Sequence, residues 1–295
     1  MQLGVSFVQR SGGGDVTGRR RDSAKKDASS PAESVLDGVQ DVAAEAAFST
    51  PPVNADGSTV VLEPPQVTPA LSVLTPAGLA LVAVAGGLTC ALLTTWIIRQ
   101  GTSVPLVDVR IHTWVVSDRN SASTVFARAV TWGGVTTVVL PALIAIGALA
   151  VKGGTDIWRR LGAGVLLSGI ASVGVFVGLR INALVGRERP SVADWAGAAG
   201  GPAFPSGHTT AATLFAASCA WALAARVRAG WPRRAIWAGA VVYAGAVGWS
   251  RVWLGVHWPT DVLGGWLVGL TWFTGAAAVT VALRRRAVGR RAARA

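Results

Sequence analysis

Six stretches of this chain run without a charged residue, over 71–98, 129–151, 161–179, 195–225, 235–250 and 262–283, and arginine or lysine stands between them. A helix needs about 20 apolar residues at 1.5 Å rise each to cross a bilayer. The runs hold 28, 23, 19, 31, 16 and 22 residues, and Pro205 and Gly207 split the fourth so that 206–225 remains as its helical part. The 16-residue run is short, but flanking arginines can snorkel and lengthen it. The pattern therefore predicts an all-α, six-helix membrane bundle, with helices at about 73–98, 129–151, 161–182, 206–225, 233–251 and 261–283. Composition agrees: only 14% of residues are charged and 51% are hydrophobic, whereas a water-soluble domain is typically about 25% charged. That excludes an ordinary soluble enzyme.

Residues 1–70 read differently. SGGG, RRRDSAKK, TPPVNADGS and EPPQVTP are rich in Gly, Pro, Ser and charge, with no recurring apolar face, so a disordered tail is expected before a membrane domain at 71–295. A short amphipathic helix around 32–48 is a lesser expectation. The start lacks a basic segment followed by a useful apolar run and makes a poor signal peptide. Between the first two runs, Val107, Ile111, Trp114 and Val115 share a helical face that leaves out Asp108, Arg110 and Asp118, which predicts an interfacial amphipathic helix.

The net charge of +12 would by itself suit nucleic acid. Its distribution argues against that partner. Nine of the 15 acids lie in 1–70, and the 21 bases of 71–295 cluster between uncharged runs. Thirteen of these bases gather on one side of the bundle and eight on the other. The richer side is expected to be cytoplasmic, with both termini there and the loops 99–128, 180–205 and 251–261 outside the cell. Trp96, Trp132, Trp158 and Trp231 suit ring anchors at headgroup level. Cys90 and Cys219, inside apolar runs, suit packing. Gly162, Gly164, Gly169, Gly174 and Gly178 suit close helix packing. His112 reads as structural, and Arg180 as a snorkelling residue. Asp194 and Trp195 are lesser candidates for lipid headgroup contact. Pro259 and Thr260 read as the start of the last helix.

The outward loops hold polar groups at membrane depth, which mark function by default. GRERP brings Arg187 and Arg189, FPSGHTT brings Ser206, Gly207 and His208, and SRVWLGVHWPTD brings Arg251, His257 and Asp261. Ser206 and Gly207 open a helix, whose free N–H groups favour a phosphate. Arg189 and Arg251 can clamp phosphate oxygens. Asp261, four residues after His257, can hold one imidazole nitrogen so that the other attacks, and His208 can protonate the leaving oxygen. The chemistry predicted is phosphoryl transfer through a phosphohistidine. Few acids remain outside the tail, so no metal site and no cofactor are expected.

These segments resemble the three signature motifs of the type 2 phosphatidic acid phosphatase (PAP2) family. Pro205-Ser206-Gly207-His208 matches the second motif, and Ser250-Arg251, His257 and Asp261 match the third at the required spacing. Arg189-Pro190 matches the first, whose lysine position falls on Asn182. The resemblance implies His257 as nucleophile, Asp261 as its orienter and His208 as general acid. It implies that Arg189, Arg251, Ser206 and Gly207 hold the phosphate, with Asn182 and Arg187 as further contacts. The activity expected is dephosphorylation of a membrane lipid phosphate or pyrophosphate at the outer face. Undecaprenyl pyrophosphate is favoured over phosphatidic acid, phosphatidylglycerol phosphate and diacylglycerol pyrophosphate. Two rivals stay open: a phosphotransferase using the same intermediate, and a catalytically weak lipid-phosphate binder, motivated by Asn182. A transporter would need charges inside several helices, and the apolar runs lack them.

Overall fold

The computed structural model describes residues 75–151 and 156–293, with the side chains of 291 and 292 left aside. The expected tail over 1–70, the amphipathic helix around 32–48 and Lys152 lie outside the described residues. Those described form eight α-helices and no strand: α1 Pro76–Gln100, α2 Leu106–Asp118, α3 Ser121–Thr131, α4 Thr136–Ala150, α5 Ile157–Val185, α6 Gly207–Ala224, α7 Trp231–Trp253 and α8 Pro259–Ala292.

Local signals set several of these ends. Thr75 caps α1, accepting from the Gly78 N–H at 3.0 Å, and Pro76 supplies a preset φ at its first position. Asn120 and Ser123 form a reciprocal capping box at the start of α3. Gly186, at φ 63°, ends α5 in the left-handed region, where a residue with a Cβ is strained.

α6 forms the centre, packed against α4, α5, α7 and α8. Its Ala, Thr and Ser side chains are mostly buried, and their small size lets neighbours approach closely. A Cβ on Gly265 would lie 2.7 Å from Thr209 Cβ, and one on Gly269 would lie 2.7 Å from Thr213 Cβ, so α8 presses directly on α6. α4 and α5 meet the same way, since a Cβ on Gly164 would collide with the Ile144 carbonyl oxygen. Among the expected packing glycines, Gly164, Gly174 and Gly178 face neighbours, but Gly162 and Gly169 open onto nothing within 4 Å. Cys90 is buried, Cys219 is half-buried, and neither forms a disulfide.

Three helices, α1, α5 and α8 as far as Arg290, are long and apolar enough to cross a membrane. The run at 129–151 is not the single helix expected. The 3-10 turn Trp132–Gly134 separates α3 from α4, and the pair is bent by 54°; taken as one, it makes a fourth candidate span. α6 and α7 fall short of the same standard. α6 opens with the polar run His208-Thr209-Thr210, and α7 carries arginines near both ends. The outer surface is nevertheless apolar: Leu92 is 72% exposed and Val241 71%. The expected anchors Trp96, Trp132, Trp158 and Trp231 are also exposed.

α2 differs most from expectation. Its buried residues are Asp108, His112 and Val115, while Val107 and Trp114 are exposed. The inward face therefore joins Asp108 and His112 to the expected Val115 and the half-buried Ile111, because ionic partners from distant parts of the chain meet the two polar residues there. His112 Nε2 lies 3.1 Å from Asp194 Oδ2, and its ring packs on Trp258 with centroids 5.1 Å apart. This makes His112 a structural residue, as expected, and engages Asp194 with protein.

Candidate active site

The backbone of two sequence-distant turns meets where α6 and α8 begin. Ser206 N donates to the Asp261 carbonyl at 3.0 Å, just after the cis Phe204–Pro205 bond, and Phe204 is fully buried against Gly264. This junction fixes the start of α6 beside the start of α8. Gly207 is the first residue of α6, and a Cβ built on it would meet nothing within 4 Å. The buried Ser206 hydroxyl accepts from Thr209 Oγ1 at 3.0 Å.

His257 lies in the turn between α7 and α8, two residues before α8 begins, and is 2% exposed. Its Nδ1 is 3.4 Å from Asp261 Oδ2, and its Nε2 is 2.9 Å from Arg189 NH1. A guanidinium can only donate, so Nε2 accepts and the ring proton sits on Nδ1, facing Asp261. Burial is the main cause of the His257 ionisation falling from 6.5 to about 4. The hydrogen bond and charge of Asp261 pull it upward, and the positive Arg189 and Arg251 add to the fall. The ring is therefore neutral at physiological pH, with an in-plane lone pair on Nε2.

Arg189 places five contacts. Nε donates to Gly201 O, NH1 to Val256 O and His257 Nε2, and NH2 to Gly200 O and Pro202 O, all within 2.6–3.0 Å. Burial draws its ionisation below the ordinary arginine value, against the opposing pull of Asp261. Every N–H of this expected phosphate clamp is engaged.

Two expected phosphate contacts are placed otherwise. Arg187 spends NH1 on Asp261 Oδ1 and Thr260 Oγ1 and NH2 on Asp108 Oδ2, the last at 2.7 Å, and stacks 5.9 Å from the Trp258 ring. It is held by two buried carboxylates rather than turned to a ligand. Asn182 Nδ2 donates to Pro202 O at 3.0 Å and Pro205 O at 3.3 Å, so its amide ties down the segment leading into Ser206.

Asp108 and Thr260 belong to the site and were not among the expected residues. Asp108 is fully buried and accepts from Thr260 N at 3.0 Å, Thr260 Oγ1 at 2.6 Å and Arg187 NH2 at 2.7 Å. The row Asp108, Arg187, Asp261, His257, Arg189 alternates negative and positive around a neutral ring. The sequence signal that bore on it was an acid in the first turn of α2, set between Val107 and Val109.

His208 and Arg251 open onto a cavity of about 520 Å³, also lined by Arg128, Thr131, Trp132 and Trp195. Arg251 is 3% exposed; NH1 donates to Thr131 Oγ1 at 2.9 Å, NH2 to Ala198 O at 3.3 Å, and its Nε has no partner. Among the described residues, no three His, Cys, Asp or Glu side chains gather as metal ligands do.

The PAP2 superfamily pattern matches residues 160–285, which include Arg187, Arg189, His208, Arg251, His257 and Asp261. The decaprenylphosphoryl-5-phosphoribose phosphatase of Mycolicibacterium smegmatis is 36% identical over 142 residues, 47% of this chain and 69% of that protein. This chain belongs to the PAP2 superfamily. A second relative is Escherichia coli YbjG, whose name carries undecaprenyl-diphosphatase as a candidate activity. It is 35% identical over 105 residues, 34% of this chain, so the match spans only about half (48%) of that protein. A transmembrane PAP2-type phosphatidylglycerolphosphate phosphatase from Bacillus subtilis superposes with a TM-score of 0.57 at 27% identity, covering 65% of this chain and 92% of that one. With its apolar helices and outer surface, this PAP2 chain is a multi-pass membrane protein.

Proposed function

We propose that this PAP2 protein removes phosphate from a lipid phosphate or lipid pyrophosphate through a phosphohistidine, without a metal. The carrying observation is the state of His257: neutral, its proton turned to Asp261 and its Nε2 lone pair turned to Arg189. The substrate phosphate displaces Arg189 NH1 from Nε2 and takes up its charge, together with Arg251 and the N–H groups opening α6. Nε2 attacks phosphorus, the P–O bond to the lipid breaks, and the leaving oxygen takes its electron pair and a proton from His208. The Asp261 carboxylate stabilises the positive ring. Water then attacks the phosphohistidine, gives its proton back to His208 and releases inorganic phosphate.

α6 and α7 complete a six-span bundle. The Lys/Arg bias puts the termini in the cytoplasm and the site outside. The names of the M. smegmatis and E. coli relatives support a polyprenyl-linked phosphate as substrate.

The test is phosphate release by detergent-purified protein from a panel of lipid phosphates, with EDTA present, beside His257→Ala. Metal-independent release that vanishes in the variant is expected. Release that needs an added divalent ion, or that survives His257→Ala, would overturn the mechanism.

A further inference from the structure

We infer that the cavity beside His208 is a leaving-group subsite for a second phosphate, and that Arg128 of α3 sets a preference for lipid diphosphates over monophosphates. The inference rests on the phosphatase reading above and assigns a role to a residue outside the motif segments. In phosphoryl transfer the attacking and leaving atoms stand roughly in line across phosphorus. With His257 attacking and His208 protonating the departing oxygen, whatever that oxygen carries lies on the His208 side, and that is where the cavity is.

Its wall is built for an anion. Arg128 and Thr131 of the last turn of α3 and Trp132, which follows it, all line the cavity. Arg128 is anchored through Nε, which donates to Ala196 O at 2.7 Å, and its two terminal nitrogens have no protein partner among the described residues. Arg251, which also lines the cavity, is buried and anchored to Thr131 Oγ1 and Ala198 O. Two guanidinium charges bordering one cavity, one of them on an exposed side chain whose terminal nitrogens no protein group takes up, favour an anionic acceptor there. The exposed ring of Trp132 supplies an apolar edge where a lipid chain can leave. In a diphosphate the terminal phosphoryl group passes to His257 Nε2. The bridging P–O bond breaks, and the bridging oxygen leaves with its electron pair on the retained phosphate, protonated by His208. The retained phosphate is then the second anion that Arg128 and Arg251 hold. A monophosphate leaves only an alcohol there and gains nothing from Arg128.

The experiment compares kcat/KM for a lipid diphosphate and for the monophosphate of the same lipid in wild type, Arg128→Gln and Arg128→Lys. Loss of a charge-assisted contact predicts a fall of about tenfold or more on the diphosphate in Arg128→Gln. The monophosphate should change by less than about threefold, which also shows that the variant is folded. Arg128→Lys should recover part of the ratio. An unchanged ratio, or equal falls on both substrates in both variants, overturns the assignment. A wild type that releases phosphate from neither substrate instead sinks the phosphatase reading, and this inference with it.

Discussion

Replacing Asp108 by Asn should damage turnover without touching the substrate. Asp108 is fully buried and carries the second counter-charge of Arg187, whose side chain is itself only 9% exposed. The amide keeps an acceptor for Thr260 N but sets neutral groups against Arg187 NH2 and Thr260 Oγ1. Breaking a buried pair from one side costs about 3–5 kcal/mol, and the retained acceptor puts this variant near ~3. At this chain length that lowers the melting temperature by roughly 6–12 °C. Arg187, left with one counter-charge, then draws harder on Asp261 and loosens its hold on the His257 ring. Loss of a charge-assisted hydrogen bond of about 1.5–3 kcal/mol in the transition state slows kcat roughly 10- to 100-fold. KM should stay within about threefold, because Asp108 meets only protein. The assay is steady-state phosphate release in detergent, with thermal unfolding followed by tryptophan fluorescence. A variant with kcat within threefold and melting within 2 °C of wild type would refute the reasoning. So would a loss confined to KM.

The pH dependence of His257 has a defined sign: above about 4 the free-enzyme ring is neutral and can attack, and below it the proton occupies Nε2. Histidine-selective NMR of the ligand-free protein, assigned through His257→Asn, should find this ring titrating near 4; a midpoint at 6.5 would contradict its burial. Asn182→Lys should bring no gain in turnover, since the amide it removes binds loop carbonyls, and Asn182→Ala should cost about 1 kcal/mol per freed carbonyl. A tenfold faster Asn182→Lys enzyme would show instead that the site lacks a charge. Gly186→Ala should lower stability by about 1 kcal/mol through backbone strain alone, as the new methyl group meets nothing within 4 Å. Chemical denaturation reads that difference, and a neutral result would place the α5 cap elsewhere.

The helices that periodicity and charge-free length revealed are those whose burial depends on their own composition. α1, α5 and α8 needed nothing else. α3 was illegible because SASTVFARAVT mixes polar and apolar residues, and the break at Trp132–Gly134 lies inside an unbroken apolar run. The face of α2 was misread for a related reason. Asp108 and His112 look solvent-facing until Arg187 and Asp194 arrive from 79 and 82 residues away. The motif residues could be read because spacing alone brings them to helix ends. Which arginine would serve phosphate and which would serve Asp261 could not be read, since Arg187 and Arg189 stand two residues apart in the same loop after α5.

The order in which these charges are made also matters for how the protein enters its membrane. Arg187 emerges from the ribosome 79 residues after Asp108 and 74 residues before Asp261. Through that interval Asp108 is the only one of its two counterions in existence. A nascent chain folds largely from its N-terminal end, so α2 offers the guanidinium a neutralising partner before α6, α7 or α8 has been synthesised. The same carboxylate that steadies the finished site thus escorts its arginine through assembly.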